Sequence, residues 1–190
     1  AIPVHEWCSE GLAELARLSG DCTFLIGMSA YDSVCLARRE GHFPIKVLVL
    51  STGQRRPLGA GAGSIALMSL LPDDQVRHIL DHNQRTLQER GEPPVDELWR
   101  IIDRTRREGY ATKDAPNLPV RSLSMPVVDQ YGRGLCALSV TSLTPRIEQR
   151  TPMLVDTLHA ITRDLNRRVR NVVTLDNWPW PSLQPDAEHA

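Results

Sequence analysis

Residues 121–142 read RSLSMPVVDQYGRGLCALSVTS, and this stretch decides the class of fold. Arg121–Val128 and Gly134–Ser142 are two strand-like segments joined by a turn containing Asp129, Tyr131 and Gly132. That is the pattern of a β-hairpin. Side chains alternate across a strand, so Ser122 and Ser124 share one face, and Ser139 and Thr141 share a face of the next strand. Leu123, Met125 and Val127, with Cys136, Leu138 and Val140, take the opposite faces. One face of the sheet is therefore predicted to be apolar and the other to carry small hydroxyls. A plain solvated face is the alternative, but it ordinarily bears longer charged residues too. Small hydroxyls leave room and offer donors, as a polar ligand pocket needs.

Upstream, Cys22–Met28 and Val34–Arg39 predict a second hairpin around Tyr31-Asp32-Ser33, and Ile45–Leu50 (IKVLVL) a third strand. His5–Leu18 predicts an amphipathic helix, with Cys8, Leu12 and Leu15 at helical spacing and Gly20 ending it. Three helices are predicted between the hairpins. They cover Ile65–Leu71, a segment capped by Pro72-Asp73-Asp74 with Val76, Leu80 and Leu87 on one face, and Val95–Arg107 with Leu98, Trp99 and Ile102 inward. Ala111–Pro119 reads as an irregular loop, and Thr151-Pro152 as the start of a long last helix carrying Leu154, Leu158, Ile161 and Leu165. Beyond Val169 periodicity fades, and Trp178 and Trp180 are expected to pack on a surface of this chain or of a neighbouring subunit. Hairpins without βαβ alternation place the chain in the α+β class with an antiparallel sheet, the last helix lying beside the first.

The chain has 190 residues, 41% hydrophobic and 24% charged, enough for one globular domain with a real core. A net charge of -1 gives no basic field for nucleic acid. No apolar run is long enough to span a bilayer and no basic-then-apolar leader opens the chain, so no membrane partner is expected. The four cysteines form no CxxC pair, which argues against zinc or a disulfide framework and for reduced thiols in the cytoplasm.

The second informative stretch is Pro57–Leu71, PLGAGAGSIALMSLL. Glycines before a helix allow a tight turn and a close approach, and a helix start offers unpaired N–H groups to an anion. A turn packed against a sheet is the plainer alternative. No Gly-Lys-Ser/Thr follows and the glycines alternate, so neither a Walker loop nor GxGxxG is present. His78 and His82 have metal-grip spacing but lack the HExxH pattern, and read as a surface pair. Cys136 shares the apolar parity of its strand, and no GxSxG or acid/base carboxylate pair occurs. No catalytic residue, metal or cofactor is predicted.

From about Trp7 to Arg168 the chain resembles the C-terminal effector-binding domain of IclR-type bacterial transcriptional regulators. The resemblance rests on REGHFPIKV (Arg39–Val47), RRPLGAGAGSIALMSLLPDD (Arg55–Asp74), GYA (Gly109–Ala111), MPVVDQYGRGLCALSVTS (Met125–Ser142) and the closing helix, in order and at the right spacing. It implies a GAF/profilin-like α+β fold whose curved antiparallel sheet holds a small-molecule pocket. It also implies an effector-binding domain over residues 1–170, a tail over 171–190, and a DNA-binding winged helix-turn-helix that normally precedes this domain and is absent from this chain. Carried over by motif, the effector contacts are Gly61, Ala62 and Gly63 at the helix start, Asp114, Ser122, and Ser139 with Thr141. The implied effector is a small organic or aromatic acid, the implied assembly a homodimer or tetramer, and contact with DNA runs only through the N-terminal domain. Departures from the family pattern place Gly59, Gly61, Ser64 and Ile65 where many relatives carry His, Thr, Gly and Lys, and Ser122 where some carry cysteine. The loop before Ser122 is one residue shorter, which makes Lys113 the rival of Asp114, and a lysine there favours a carboxylate. A small-molecule enzyme using the same pocket, and an oligomerisation module with a vestigial one, are the competing readings.

Overall fold

The structure is a computed structural model that describes residues 4–173 and 175–177. Helix α1 (Val4–Ser19) leads into the hairpin β1 (Cys22–Ser29) and β2 (Asp32–Arg39), and β3 (Arg55–Pro57) follows. Three helices come next: α2 (Ala62–Met68), α3 (Asp73–Glu89) and α4 (Val95–Glu108). Strands β4 (Ala111–Asp114), β5 (Val120–Val128) and β6 (Gly134–Leu143) complete the sheet, and α5 (Thr144–Val169) returns across it, with a 3-10 turn at Leu175–Asn177. Trp178 and Trp180 lie outside the described residues.

The sheet has six strands in the order β3-β2-β1-β6-β5-β4, every neighbouring pair antiparallel. This curled sheet with five helices packed on it is the α+β, GAF/profilin-like fold that the sequence predicts. Its two faces differ as the alternation demands. Leu123 pairs with Val140 and Met125 with Leu138, and these side chains are buried beneath α1 and α5. The α1 side of that layer contributes Cys8, Leu12 and Leu15, the α5 side Leu154, Leu158 and Leu165, all buried. The two helices meet at Gly11, where an added Cβ would stand 3.0 Å from Leu165 Cδ1. Cys136 lies in this core, and burial, with Cys8 as its neighbour, pushes its thiol pKa well up.

Three local expectations are corrected. Ile45–Leu50 is not a strand: Ile45 and Leu48 are exposed while Val47 and Leu50 are buried. The edge of β2 that it would need is already bonded by Gly53, Gln54 and β3. The stretch Ala111–Pro119 is not wholly irregular, because Ala111–Asp114 pairs with β5 as the edge strand β4. The last helix starts at Thr144, not at Thr151, with Pro145 in its first turn. Thr151 Oγ1 instead donates to the Ile147 carbonyl at 2.8 Å inside the helix. The early start is held by Arg146 and Arg150, which donate to opposite oxygens of the buried Asp21 at 2.8 Å each. That ties the first turns of α5 to the corner between α1 and β1.

Candidate functional site

The other face of the sheet carries the hydroxyls. Across the ladder, Lys113 of β4 pairs with Ser122 of β5, and Ser122 with Thr141 of β6. The adjacent row runs from Ser124 to Ser139 and on to Phe24 of β1. Ser122 Oγ and Thr141 Oγ1 share a hydrogen bond at 2.6 Å. Ser139 donates to Ser124 Oγ at 2.8 Å, and Ser124 donates to the Leu138 carbonyl at 3.0 Å. Two hydroxyls joined by one bond keep one O–H proton between them, so the Ser122–Thr141 pair retains a donor for something else.

Above this floor lies a cavity of about 300 Å³, within the usual span of small-molecule sites. Phe24, Ile26, Val49, Leu50 and Leu118 supply apolar wall, and Ser122, Ser139 and Thr141 supply floor. Gly61, Ala62 and Gly63 bring the start of α2 against it. Gly63 packs on β1 so closely that an added Cβ would fall 2.7 Å from Ile26 Cγ1. Gly61 takes φ 85 at the N-cap, a left-handed value that favours glycine. The preceding turn is stitched by Ser64, whose Oγ accepts from the Gly59 N–H at 3.0 Å. Helix α2 has only seven residues, all buried, so its dipole is a minor source of positive potential.

The charge comes from side chains instead. Alternation along β3 sends Arg55 outward to Asp32 at 3.1 Å and Arg56 inward to the cavity. Past the end of α3, Gly91 turns the chain at φ 77, with Arg90 and Glu92 both reaching the cavity wall. Lys113, buried on β4, donates to the Glu92 carboxylate and to the Asp114 carbonyl at 3.1 Å. The Asp114 side chain turns away from this arrangement and receives Arg121 at 2.6 and 3.1 Å. Arg121's hydrogen bonds hold that carboxyl below the usual carboxylate range, against a smaller opposing effect of burial. Burial, then the like charge of Arg90, pushes the Arg56 guanidinium down from its ordinary pKa.

All seven residues carried over by motif thus border one cavity: Gly61, Ala62, Gly63, Asp114, Ser122, Ser139 and Thr141. At the Asp114 position it is the neighbouring Lys113 whose side chain is buried. Arg56, Arg90 and Glu92 were not singled out from sequence. Arg56 lies on a strand of only three residues, too short for its facing to be read from the sequence. His78 and His82 lie on the exposed side of α3, bonded to Tyr31 Oη at 2.8 Å and stacked on the Tyr31 ring respectively. Among the described residues no helix is long and apolar enough to cross a membrane.

The six-stranded antiparallel sheet thus carries α1 and α5 on one face and, on the other, α2 beside a hydroxyl-floored cavity. The chain belongs to the family described as bacterial transcriptional regulator IclR C-terminal, whose pattern matches residues 2–167. It is 27% identical over 150 residues to the HTH-type transcriptional regulator XynR of Escherichia coli K12, covering 78% of this chain and 59% of XynR. It is 24% identical over 161 residues to the HTH-type transcriptional regulator KdgR of the same organism, covering 83% of this chain and 61% of KdgR. The match therefore spans about three fifths of the length of these relatives. The crystal structure of transcriptional regulator YaiJ superposes with a TM-score of 0.82 at 18% identity, over 90% of this chain and 98% of that one. XynR and KdgR are transcriptional regulators.

Proposed function

We propose that this chain is the effector-sensing and oligomerisation domain of a cytoplasmic DNA-binding regulator, and that a small organic or aromatic acid bound in the cavity alters DNA affinity through a separate domain of a longer protein. The observation that carries this reading is the cavity itself. Its walls come from β1, the start of α2, the chain after α3 and the loop after β4, four segments far apart in sequence. A ligand touching all four stabilises one arrangement of them over others, and that difference in affinity is what any effector must supply. Effector contacts are assigned to Gly61, Ala62 and Gly63, to Ser122, Ser139 and Thr141, and to the Lys113–Asp114 corner. The domain is expected to assemble as a dimer or tetramer, which light scattering after size exclusion measures.

A thermal-shift screen against small carboxylic acids, aromatic acids and phenolics tests the site. A ligand at one hundred times its Kd adds about 2.7 kcal/mol, or roughly 5–11 °C for a chain of this size. The shift is expected in the wild type and lost in a Ser139→Val, Thr141→Val double variant. Equal shifts in both proteins place the binding site elsewhere. No shift from any compound favours the oligomerisation module.

A further inference from the structure

Arg56 is a half-buried cation on the cavity wall. Its Nε is buried and has no hydrogen-bond partner, and among the described residues it enters no ion pair. The acids at the cavity are already committed, Glu92 to Lys113 and Asp114 to Arg121. Room for the guanidinium is made by Gly61: a Cβ there would stand 2.3 Å from Arg56 Nη2, so any side chain displaces it. Arg90, the other cation at the wall outside an ion pair, is exposed, and it enters none among the described residues. The like charges of Arg56 and Arg90 act on each other across a partly dry space, and the Glu92 carboxylate, whose charge reaches Arg56, is hydrogen-bonded to Lys113.

Taking a charge out of water is unfavourable unless it is paired and hydrogen-bonded. Packing alone does not call for a guanidinium here, since an apolar side chain would fill the same wall at lower cost. The arrangement makes energetic sense when an anion occupies the cavity. We propose that Arg56, assisted by Arg90 at the mouth, binds the carboxylate of a small monocarboxylic acid whose apolar body lies against Phe24 and Ile26. This rests on the reading of the cavity as the effector site. A guanidinium fork matches a carboxylate with two parallel hydrogen bonds, and such charge-assisted bonds strengthen in a dry site. One negative charge is specified because, of the two cations outside ion pairs, only Arg56 is half-buried; Arg90 is exposed and screened by water and salt. The Ser122–Thr141 pair, with its spare O–H, is available to a second polar group on the ligand.

The experiment titrates the 190-residue chain with acid–amide pairs: acetate with acetamide, pyruvate with pyruvamide, benzoate with benzamide, phenylacetate with phenylacetamide. The readouts are calorimetry and the 15N–1H resonance of the Arg56 Nε–H. At least one acid is expected to move that resonance saturably while its amide at equal concentration does not. Arg56→Gln is expected to weaken that acid by at least about tenfold, the loss of one hydrogen bond to a charged group. An amide that binds as well as its acid, or acid binding that Arg56→Gln leaves unchanged, overturns the assignment and leaves the effector pocket standing. Inorganic phosphate binding more tightly than every carboxylate also overturns it. Saturable binding by neither acids nor amides overturns both readings together. A measurement without ligand guards against a poorly folded variant: Arg56→Met is expected to melt above the wild type. A lower melting temperature, with the native circular dichroism retained, means the guanidinium has a stabilising partner in solution and the inference fails.

Discussion

Lys113 and Glu92 show how the cavity wall manages its charge. The two side chains are 4% and 3% exposed and meet in an ion pair. Removing one member strands the other in a site with little water. Glu92→Gln is expected to cost about 3–5 kcal/mol, the usual penalty for breaking a buried pair, measured by urea denaturation. Replacing both, as Glu92→Leu with Lys113→Met, is expected to be neutral or stabilising, because no uncompensated charge remains. If the single change costs under about 1 kcal/mol, the pair is open to water and the wall is looser than described. The pair also marks a boundary of what the sequence shows. Ser122, Ser139 and Thr141 were legible as a shared face because two long strands impose a strict period of two. Glu92 sits in a loop, where no period exists, and reaches Lys113 only through the turn at Gly91. Arg56 was hidden for a related reason, since a strand of three residues is too short to display alternation.

Helix α2 owes its place to what it lacks. All seven of its residues are buried, and Gly63 lets its backbone lie directly on Ile26 of β1. Gly63→Ala puts a methyl 2.7 Å from Ile26 Cγ1 and 2.9 Å from Ile26 Cβ, and the latter atom has little freedom to move. Overpacking of this kind typically costs about 1–3 kcal/mol. The helical gain of alanine over glycine returns less than about 1 kcal/mol. A net loss of stability is therefore expected on thermal melting, and a smaller added loss from Gly63→Ala in an Ile26→Ala background, which lacks Cγ1 and Cγ2, identifies the clash as the cause. An unchanged melting temperature shows that α2 can lift away from the sheet. Elements were misread where local propensity met a competing partner. Ile45–Leu50 has a strand's composition but no free edge to pair with. Thr151-Pro152 has the chemistry of a helix start, yet the Asp21 clasp on Arg146 and Arg150 begins the helix two turns earlier. Such long-range ties leave no local trace.

The domain is divided by its sheet. On one side α1 and α5 bury a continuous apolar layer, and on the other the cavity is bounded by short elements and connecting chain. The two outer strands, β3 and β4, have three and four residues, and both carry cavity residues, Arg56 and Lys113. Short edge strands and loops open more readily than a two-helix core, because few buried contacts hold them. A ligand in the cavity therefore meets the least stable part of the molecule and has the most to gain there. Hydrogen exchange with and without the best-binding acid is expected to show protection rising in residues 49–63 and 113–122. The apolar layer of α1 and the middle of α5 should exchange at the same slow rate in both states. Protection that rises across α1 and α5 instead would mean that the sheet passes the change through to its far face. Protection unchanged in both wall segments, with binding confirmed by calorimetry, would place the ligand outside the cavity. The pattern thus separates a sensor that works by ordering its own rim from one that works by shifting the two-helix layer.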